Sequence, residues 1–234
     1  MGSGRQRWSW YVSAPFYRRT YIGIAHQLDE ELFAYLGGRT RGAVVADCGC
    51  GPGVVAEKFL RHGAAHVFAV DMNAAMLRQA RARLADSIAA GRVEAVQRVV
   101  DATFFVGLRG ERLDGGGLDI ILFKRSLYAR REQALPTLRA AVSCLNPRGV
   151  LAVIHGERSL RRHAFGPGWR PTRYTAYHLF NRFISRLGEK LGIGDYTVYT
   201  RRELLALLQA AAGDRRVELI PSRQRAYNLA AILG

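Results

Sequence analysis

The chain is 234 residues long, a size that one hydrophobic core can serve, so a second full domain is not expected. Apolar residues make up 49% and charged residues 23%, which excludes a disordered or collagen-like chain, and no apolar run reaches the roughly 18–20 residues of a membrane span. The charge is lopsided: 35 basic against 19 acidic side chains give +16, and of the basic ones only Lys58, Lys124 and Lys190 are lysines.

Taken in chain order, residues 5–36 open with Trp8, Trp10, Tyr11, Phe16, Tyr17 and Tyr21 and pass into an amphipathic stretch from Ile22 to Leu36. So much aromatic area is costly to expose, so this cap is expected to pack over another surface, either as a helix docked on the domain or as a lid over a ligand. The first residues lack the apolar stretch of a signal peptide, which makes a cytoplasmic protein the expectation. The nearly continuous apolar run AVVAD at 43–47 predicts a first strand buried on both faces, and HVFAVD at 66–71 a second. Between them Val54, Val55, Lys58, Phe59 and Leu60 follow a helical pattern stopped by Gly63. Asn73 is placed to cap a helix running to Leu84, VEAVQRVV (93–100) predicts a third strand, and LDIILF (118–123) a fourth. A helix around 131–145 then ends in the turn Asn146-Pro147-Arg148-Gly149, which launches a fifth strand, VLAVIH (150–155).

The alternation breaks over 156–196, where Trp169, Tyr174, Tyr177, His178, Phe180 and Phe183 lie among many arginines. A helix resumes at Thr200, with Glu203 completing a capping box, and two strands, 215–220 and 225–233, follow as an antiparallel pair. Residues 155–225 hold 14 basic and 6 acidic groups, half of the net charge. Such a surface attracts nucleic acid, an anionic substrate or an acidic carrier protein, and a solvated basic face without a partner is the alternative. Cys48, Cys50 and Cys144 lack metal-site spacing and read as reduced, buried thiols.

The sharpest local motif is Asp47-Cys48-Gly49-Cys50-Gly51-Pro52-Gly53, at the end of the first strand and the start of the first βα helix. Gly49, Gly51 and Gly53 let a ligand approach bare backbone while the chain turns into a helix N-terminus. A dinucleotide fingerprint would need glycine at Val54, and Asp47 would repel a pyrophosphate, so the motif suits a ligand with a cationic amine. Asp71, closing the second strand, suits a ribose diol, and Asp101, after the third, an adenine amine. Singly each aspartate reads as a strand-end cap; three at successive strand ends around a glycine-rich turn point to a nucleoside ligand.

These pieces together resemble the class I S-adenosylmethionine-dependent methyltransferases. VVADCGCGPG (44–53) is similar to the family's first motif and HVFAVDMNAAML (66–77) to its second, while LDIILFKRSLY (118–128) and LNPRGVLAVI (145–154) are similar to later segments. The resemblance implies an α/β fold, a doubly wound Rossmann-like seven-stranded sheet with an antiparallel last strand, an N-terminal helical cap (5–36) and an insertion after strand 5. It makes 43–154 the cofactor-binding core, 156–196 the acceptor-site insertion and 197–234 the C-terminal helix and strand pair. S-adenosylmethionine would be the cofactor and S-adenosylhomocysteine the product. Asp47, Gly49, Gly51 and Gly53 would surround the methionine moiety, Asp71 the ribose, Met72 the adenine face, Asp101 and Ala102 the adenine edge, and Phe123 and Lys124 the sulfonium. Lys124 departs from the pattern, since a cation there is unfavourable unless it pairs with the cofactor's carboxylate or with Asp47.

The acceptor is not fixed by fold. After the fourth strand the chain reads Phe123-Lys124-Arg125-Ser126, without the Asn/Asp-Pro-Pro-aromatic run, the Pro-Cys or the paired glutamates of nucleic-acid and protein-arginine enzymes. What remains resembles the small-molecule branch, with methyl transfer to O or N of an aromatic or lipophilic, anionic or carrier-bound acceptor. The acceptor site would be lined by Tyr17, Tyr21, His163, Trp169, Tyr174 and His178. An RNA methyltransferase using the basic surface, and a cofactor-binding protein that transfers nothing, are the alternatives. His155, at the end of the fifth strand, is the first candidate for general base and Tyr128 the second. No carboxylate or histidine cluster suggests a metal. The oligomeric state is not legible.

Overall fold

The computed structural model describes residues 27–111, 117–127, 131–156, 199–220, 222 and 227–234. Helix α1 (residues 27–36) places Leu28, Leu32, Phe33 and Leu36 on one buried stripe, as their three- and four-residue spacing dictates. It runs into the 3-10 turn Gly37–Thr40, where the Thr40 hydroxyl donates toward the carbonyls of Gly37 and His62, each at 3.1 Å.

Strand β1 (Val44–Cys48), helix α2 (Val54–Arg61) and strand β2 (His66–Asp71) form the first βαβ unit. Asn73 caps α3 (Ala74–Arg83) by accepting from the Ala75 and Met76 amides at 2.9 and 3.3 Å. A short α4 (Ala85–Ala89) leads to β3 (Val93–Gln97), α5 (Ala102–Glu111) and β4 (Leu118–Lys124). Then come α6 (Arg131–Ser143), β5 (Leu145–Gly156), α7 (Arg201–Ala212), β6 (Arg216–Ile220) and β7 (Tyr227–Leu233). The expected capping box opens α7: Thr200 Oγ1 accepts from the Glu203 amide, and Glu203 Oε2 accepts from the Thr200 amide.

The seven strands lie in the order β3-β2-β1-β4-β5-β7-β6. β7 pairs antiparallel with both β5 and β6, and the other pairings are parallel. This is the expected mixed α/β sheet with an antiparallel last strand. Because alternate strand residues face opposite sides, the sheet serves two cores. One unites α1, α2 and α3 with Val45, Val67, Ile120, Leu122 and Ile154; the other unites α5, α6 and α7 with Ala46, Ile121, Phe123 and Val153. Burying both faces explains why the inner strands are apolar runs rather than alternating ones.

Two local expectations need correction, and one helix is added to the expected elements. The third strand stops at Gln97 instead of running to 100, because Asp101 starts a helix that the sequence pattern concealed. Phe104, Phe105 and Leu108 anchor α5 in the second core, whereas Gly107 and Gly110 lower its helix propensity. The Asn146–Gly149 turn does not precede β5 but lies within it as an irregularity: Leu145 pairs with Leu118, and pairing resumes with Val150 opposite Ile120.

The strand order places the topological switch between β1 and β4, whose crossovers leave in opposite directions. In such sheets the crevice beyond the carboxyl ends of those strands is the ligand site. Asp47 and Lys124 end β1 and β4 on the same face, the one covered by α1 and α2.

Candidate functional site

Gly49 and Gly51 turn the chain sharply after β1, with φ of +76° and +54°. The two serve different purposes. A Cβ on Gly49 would collide with the Ser126 side chain, whose hydroxyl donates to the Cys48 carbonyl, so Gly49 allows the segment after β4 to pack on the turn. A Cβ on Gly51 would meet nothing within 4 Å, so that backbone faces open space. Gly53 packs against Ala80 of α3 and Leu84 at that helix's C-cap. Of the three glycines, Gly51 is the one whose backbone is open to a ligand.

Asp71 organises this turn. Its Oδ2 accepts from the Gly51 amide at 2.9 Å and its Oδ1 from the Asn73 amide at 2.7 Å. Burial pushes its carboxyl above the usual range, and the two amides pull it back. Each oxygen keeps a second lone pair, so a diol can add to these bonds. Beside it, Met72 is 42% exposed, one of three exposed large apolar side chains among the described residues. Asp101 also serves the fold: its Oδ1 accepts from the Phe104 amide at 2.9 Å and the Thr103 hydroxyl at 2.7 Å, which makes it the N-cap of α5, with Ala102 as the first helical residue.

Asp47 is 1% exposed, and its Oδ2 has no hydrogen-bond partner among the described residues. Burial pushes its carboxyl up to about 7; Lys124 lowers it, while Asp29 and Asp71 raise it further. A buried acceptor atom without a donor is costly, and a ligand ammonium is a donor that fits it.

Lys124 is not paired as the sequence suggested. Its ammonium donates to Oδ1 of Asp29, on α1, and Lys58 of α2 donates to Oδ2 of the same carboxylate at 2.7 Å. Asp29 is 2% exposed. Sequence reasoning missed Asp29 and Lys58. Two signals were available: Asp29 falls on the apolar stripe of Leu28, Leu32, Phe33 and Leu36, and Lys58 and Lys124 are two of three lysines in an arginine-rich chain. Phe123, the residue before Lys124, faces the other side of the sheet. It turns into the second core, its ring 6.2 Å from that of Phe105.

His155 is 1% exposed and points to the opposite face from Asp47 and Lys124. Its Nδ1 lies 3.1 Å from the Gly156 carbonyl, which places the proton on Nδ1, and its ring meets Tyr199 edge-on at 5.2 Å. The structure therefore groups Asp47, Gly51, Asp71, Met72 and Lys124 at the crevice, with His155 at the same carboxyl edge but on the other face of the sheet. Tyr17, Tyr21, Tyr128, His163, Trp169, Tyr174 and His178 lie outside the described residues. The three cysteines are free and buried as expected, and burial pushes their thiols up. Among the described residues no helix is long and apolar enough to cross a membrane.

Comparison with known proteins agrees with this geometry. Residues 45–149 match the model of a methyltransferase domain. No curated protein matches the sequence. An O-methyltransferase family protein from Burkholderia thailandensis has a similar fold (TM-score 0.62, 18% identity), covering 90% of this chain and 56% of that one. The mitomycin 7-O-methyltransferase is similar at TM-score 0.61 and 19% identity over 99% of this chain and 61% of that one. Magnesium protoporphyrin IX methyltransferase from Synechocystis PCC 6803, solved with bound S-adenosylmethionine, is similar at TM-score 0.60 and 17% identity, covering 96% and 93%. The chain thus spans little more than half the length of the first of these. The motif match, the strand order and the crevice at the β1/β4 switch all point one way: residues 45–149 match a methyltransferase domain, and the chain shares the fold of the methyltransferases above.

Proposed function

We propose that the protein transfers a methyl group from S-adenosylmethionine to O or N of an aromatic or lipophilic, anionic small molecule. The observation that carries the cofactor half is Asp47, a buried carboxylate with an unpartnered oxygen at the β1/β4 switch point. The residues present fit the cofactor. Asp47 would take its ammonium, the open backbone at Gly51 its chain, Asp71 its ribose, and Met72 would cover its adenine. When bound, S-adenosylmethionine supplies an electrophilic methyl group that a nucleophile attacks in line.

The chain's contribution is to orient and to exclude water. Gly49 admits Ser126 close to the turn, fixing the floor of the crevice, and Asp71 holds the Gly51 amide and α3 in register. His155 is retained as the general base of the proposal, with Nε2 as its basic atom once Nδ1–H donates to Gly156. Its burial on the far face suits a packing role equally, and His155→Ala separates the two. As the base, it loses about 10²–10⁴ in kcat with cofactor affinity unchanged; as packing, it loses stability with kcat per folded molecule intact.

The acceptor class rests on the small-molecule methyltransferases among the neighbours and on the arginine- and aromatic-rich stretch 156–196. The deciding experiment is methyl transfer from labelled cofactor to a panel of aromatic acids and phenols, beside RNA, across 50 to 200 mM salt. Transfer to a small acceptor, losing only severalfold in affinity over that range, supports the proposal. Transfer to RNA with about a hundredfold loss, the signature of some five phosphate contacts, overturns it.

A further inference from the structure

The N-terminal helix brings an ion lattice to the crevice that neither the family motifs nor the proposed chemistry requires. Asp29 is a carboxylate 2% exposed, set among Leu28, Leu32 and Phe33, and both its oxygens are taken by lysines from different elements. Burying it together with Lys58 and Lys124 incurs a desolvation cost that three apolar side chains would avoid, so the lattice calls for a reason beyond stability. The lysines are a specific choice. Only three of the 35 basic residues are lysine, and two of them meet here, each giving a compact ammonium to one carboxylate oxygen.

Counting the groups of the α1/α2 face around the switch point gives the reason. Asp29, Asp47 and Asp71 bring three negative charges, and Lys58 and Lys124 two positive ones. The neighbouring thiols of Cys48 and Cys50 stay neutral, and the Glu57–Arg61 and Glu57–Arg83 pairs lie on the outer surface of α2 and α3. Within this set of five, one negative charge is left over; Arg125, the residue after Lys124, is also buried but lies over the Tyr227 ring, 5.9 Å from its centroid. S-adenosylmethionine carries an ammonium, a sulfonium and a carboxylate, hence one net positive charge, whereas the product thioether, S-adenosylhomocysteine, is a neutral zwitterion. We infer that Asp29 is a positioning residue: by holding Lys124 from the α1 side, it keeps Asp47 available to the ligand ammonium and makes the crevice prefer the cationic cofactor to its neutral product.

This inference rests on the cofactor reading above. If Asp29 loses its charge, Lys124 turns to the next carboxylate on the same face, Asp47, and occupies the oxygen that the ligand needs; the net charge of the lattice falls to zero. The penalty falls more heavily on the ligand that carries the sulfonium. If Lys124 loses its charge, the lattice becomes more negative and the preference grows. Removing both charges restores the original count.

The test is calorimetric titration of S-adenosylmethionine and S-adenosylhomocysteine into the full chain and into Asp29→Asn, Lys124→Met and the double variant at pH 8, with the ratio of the two Kd values as the readout. Asp29→Asn is expected to shift the ratio against S-adenosylmethionine by about five- to tenfold, and Lys124→Met to shift it the other way by a similar factor. The double variant is expected to return within about twofold of the unaltered chain. A carboxylate that merely anchors α1 would weaken both ligands equally and would not be rescued by Lys124→Met; equal shifts, or no rescue, overturn the inference. Should Asp29→Asn not fold, an unchanged ratio in Lys124→Met overturns it as well. Failure of the unaltered chain to bind either ligand contradicts the cofactor reading, and the lattice proposal falls with it.

Discussion

The two ends of the sheet are built from the same residue types to opposite effect. At the amino ends of the strands, Asp119 has both oxygens occupied: Oδ2 accepts from the Val44 amide at 2.8 Å and Oδ1 from the Asn146 side-chain amide at 2.7 Å. Arg215 closes the same end by donating to the carbonyls of Leu145 and Asn146. At the carboxyl ends, Asp47 is just as deeply buried as any core residue yet keeps an oxygen without a partner, and Arg125 adopts a φ of +59° that a side chain rarely takes. Completed polar groups tie strands together; incomplete or strained ones are tolerated where a ligand can complete them. On the proposed reading, the amino edge serves stability and the carboxyl edge serves binding.

The largest effect that sharpens this contrast is expected from Asp71→Ala. It removes the acceptor of two backbone amides and the proposed ribose contacts together, and should weaken binding of S-adenosylhomocysteine about a hundredfold in calorimetry. At the opposite edge, Asp119→Ala strands the Val44 amide and the Asn146 side chain. It should lower the free energy of unfolding by about 2–4 kcal/mol in denaturant titrations while leaving cofactor affinity within about twofold at 15 °C. If Asp119→Ala instead abolished binding without loss of stability, the division between the edges would fail.

Asp47→Asn should separate stability from function at a single residue. The Asp47 carboxyl titrates near 7 in the folded chain, above its ordinary value, so the folded state holds a proton that the unfolded chain has released between about pH 4 and 7. Stability contributed by this group is therefore present at low pH and lost as pH rises through 7. Asn carries no such charge and should stabilise the protein by about 1–3 kcal/mol at pH 8 but not at pH 4, while weakening cofactor binding about tenfold. The smallest effect expected is the pH dependence of that binding. Affinity should fall severalfold as the pH drops from 8 to 6 and the Asp47 carboxylate takes up a proton, and Asp47→Asn should flatten the profile.

Much of the binding edge is legible in the sequence because its chemistry is local. Asp47, the glycine turn, Asp71 and Asn73 are set within one βαβ unit, and their spacing along the chain fixes their spacing in space. The pairing of Lys124 is not legible in this way. Its partner, Asp29, is 95 residues distant on a helix whose docking depends on the whole apolar face of the sheet. Asp101 shows the converse limit, since a carboxylate after a strand reads alike whether it meets a ligand or caps a helix, and α5 was hidden by Gly107 and Gly110. Phe123 and Lys124 are adjacent in sequence and face opposite sides of the sheet, a division that the shared motif does not reveal.

The most direct test of the account is a calorimetric titration of S-adenosylmethionine into the unaltered chain and into Asp71→Ala under identical conditions at pH 8. The carboxyl edge of the sheet as described predicts saturable one-to-one binding by the first and binding at least tenfold weaker by the second. No binding by the unaltered chain, or equal affinity in both, would contradict it.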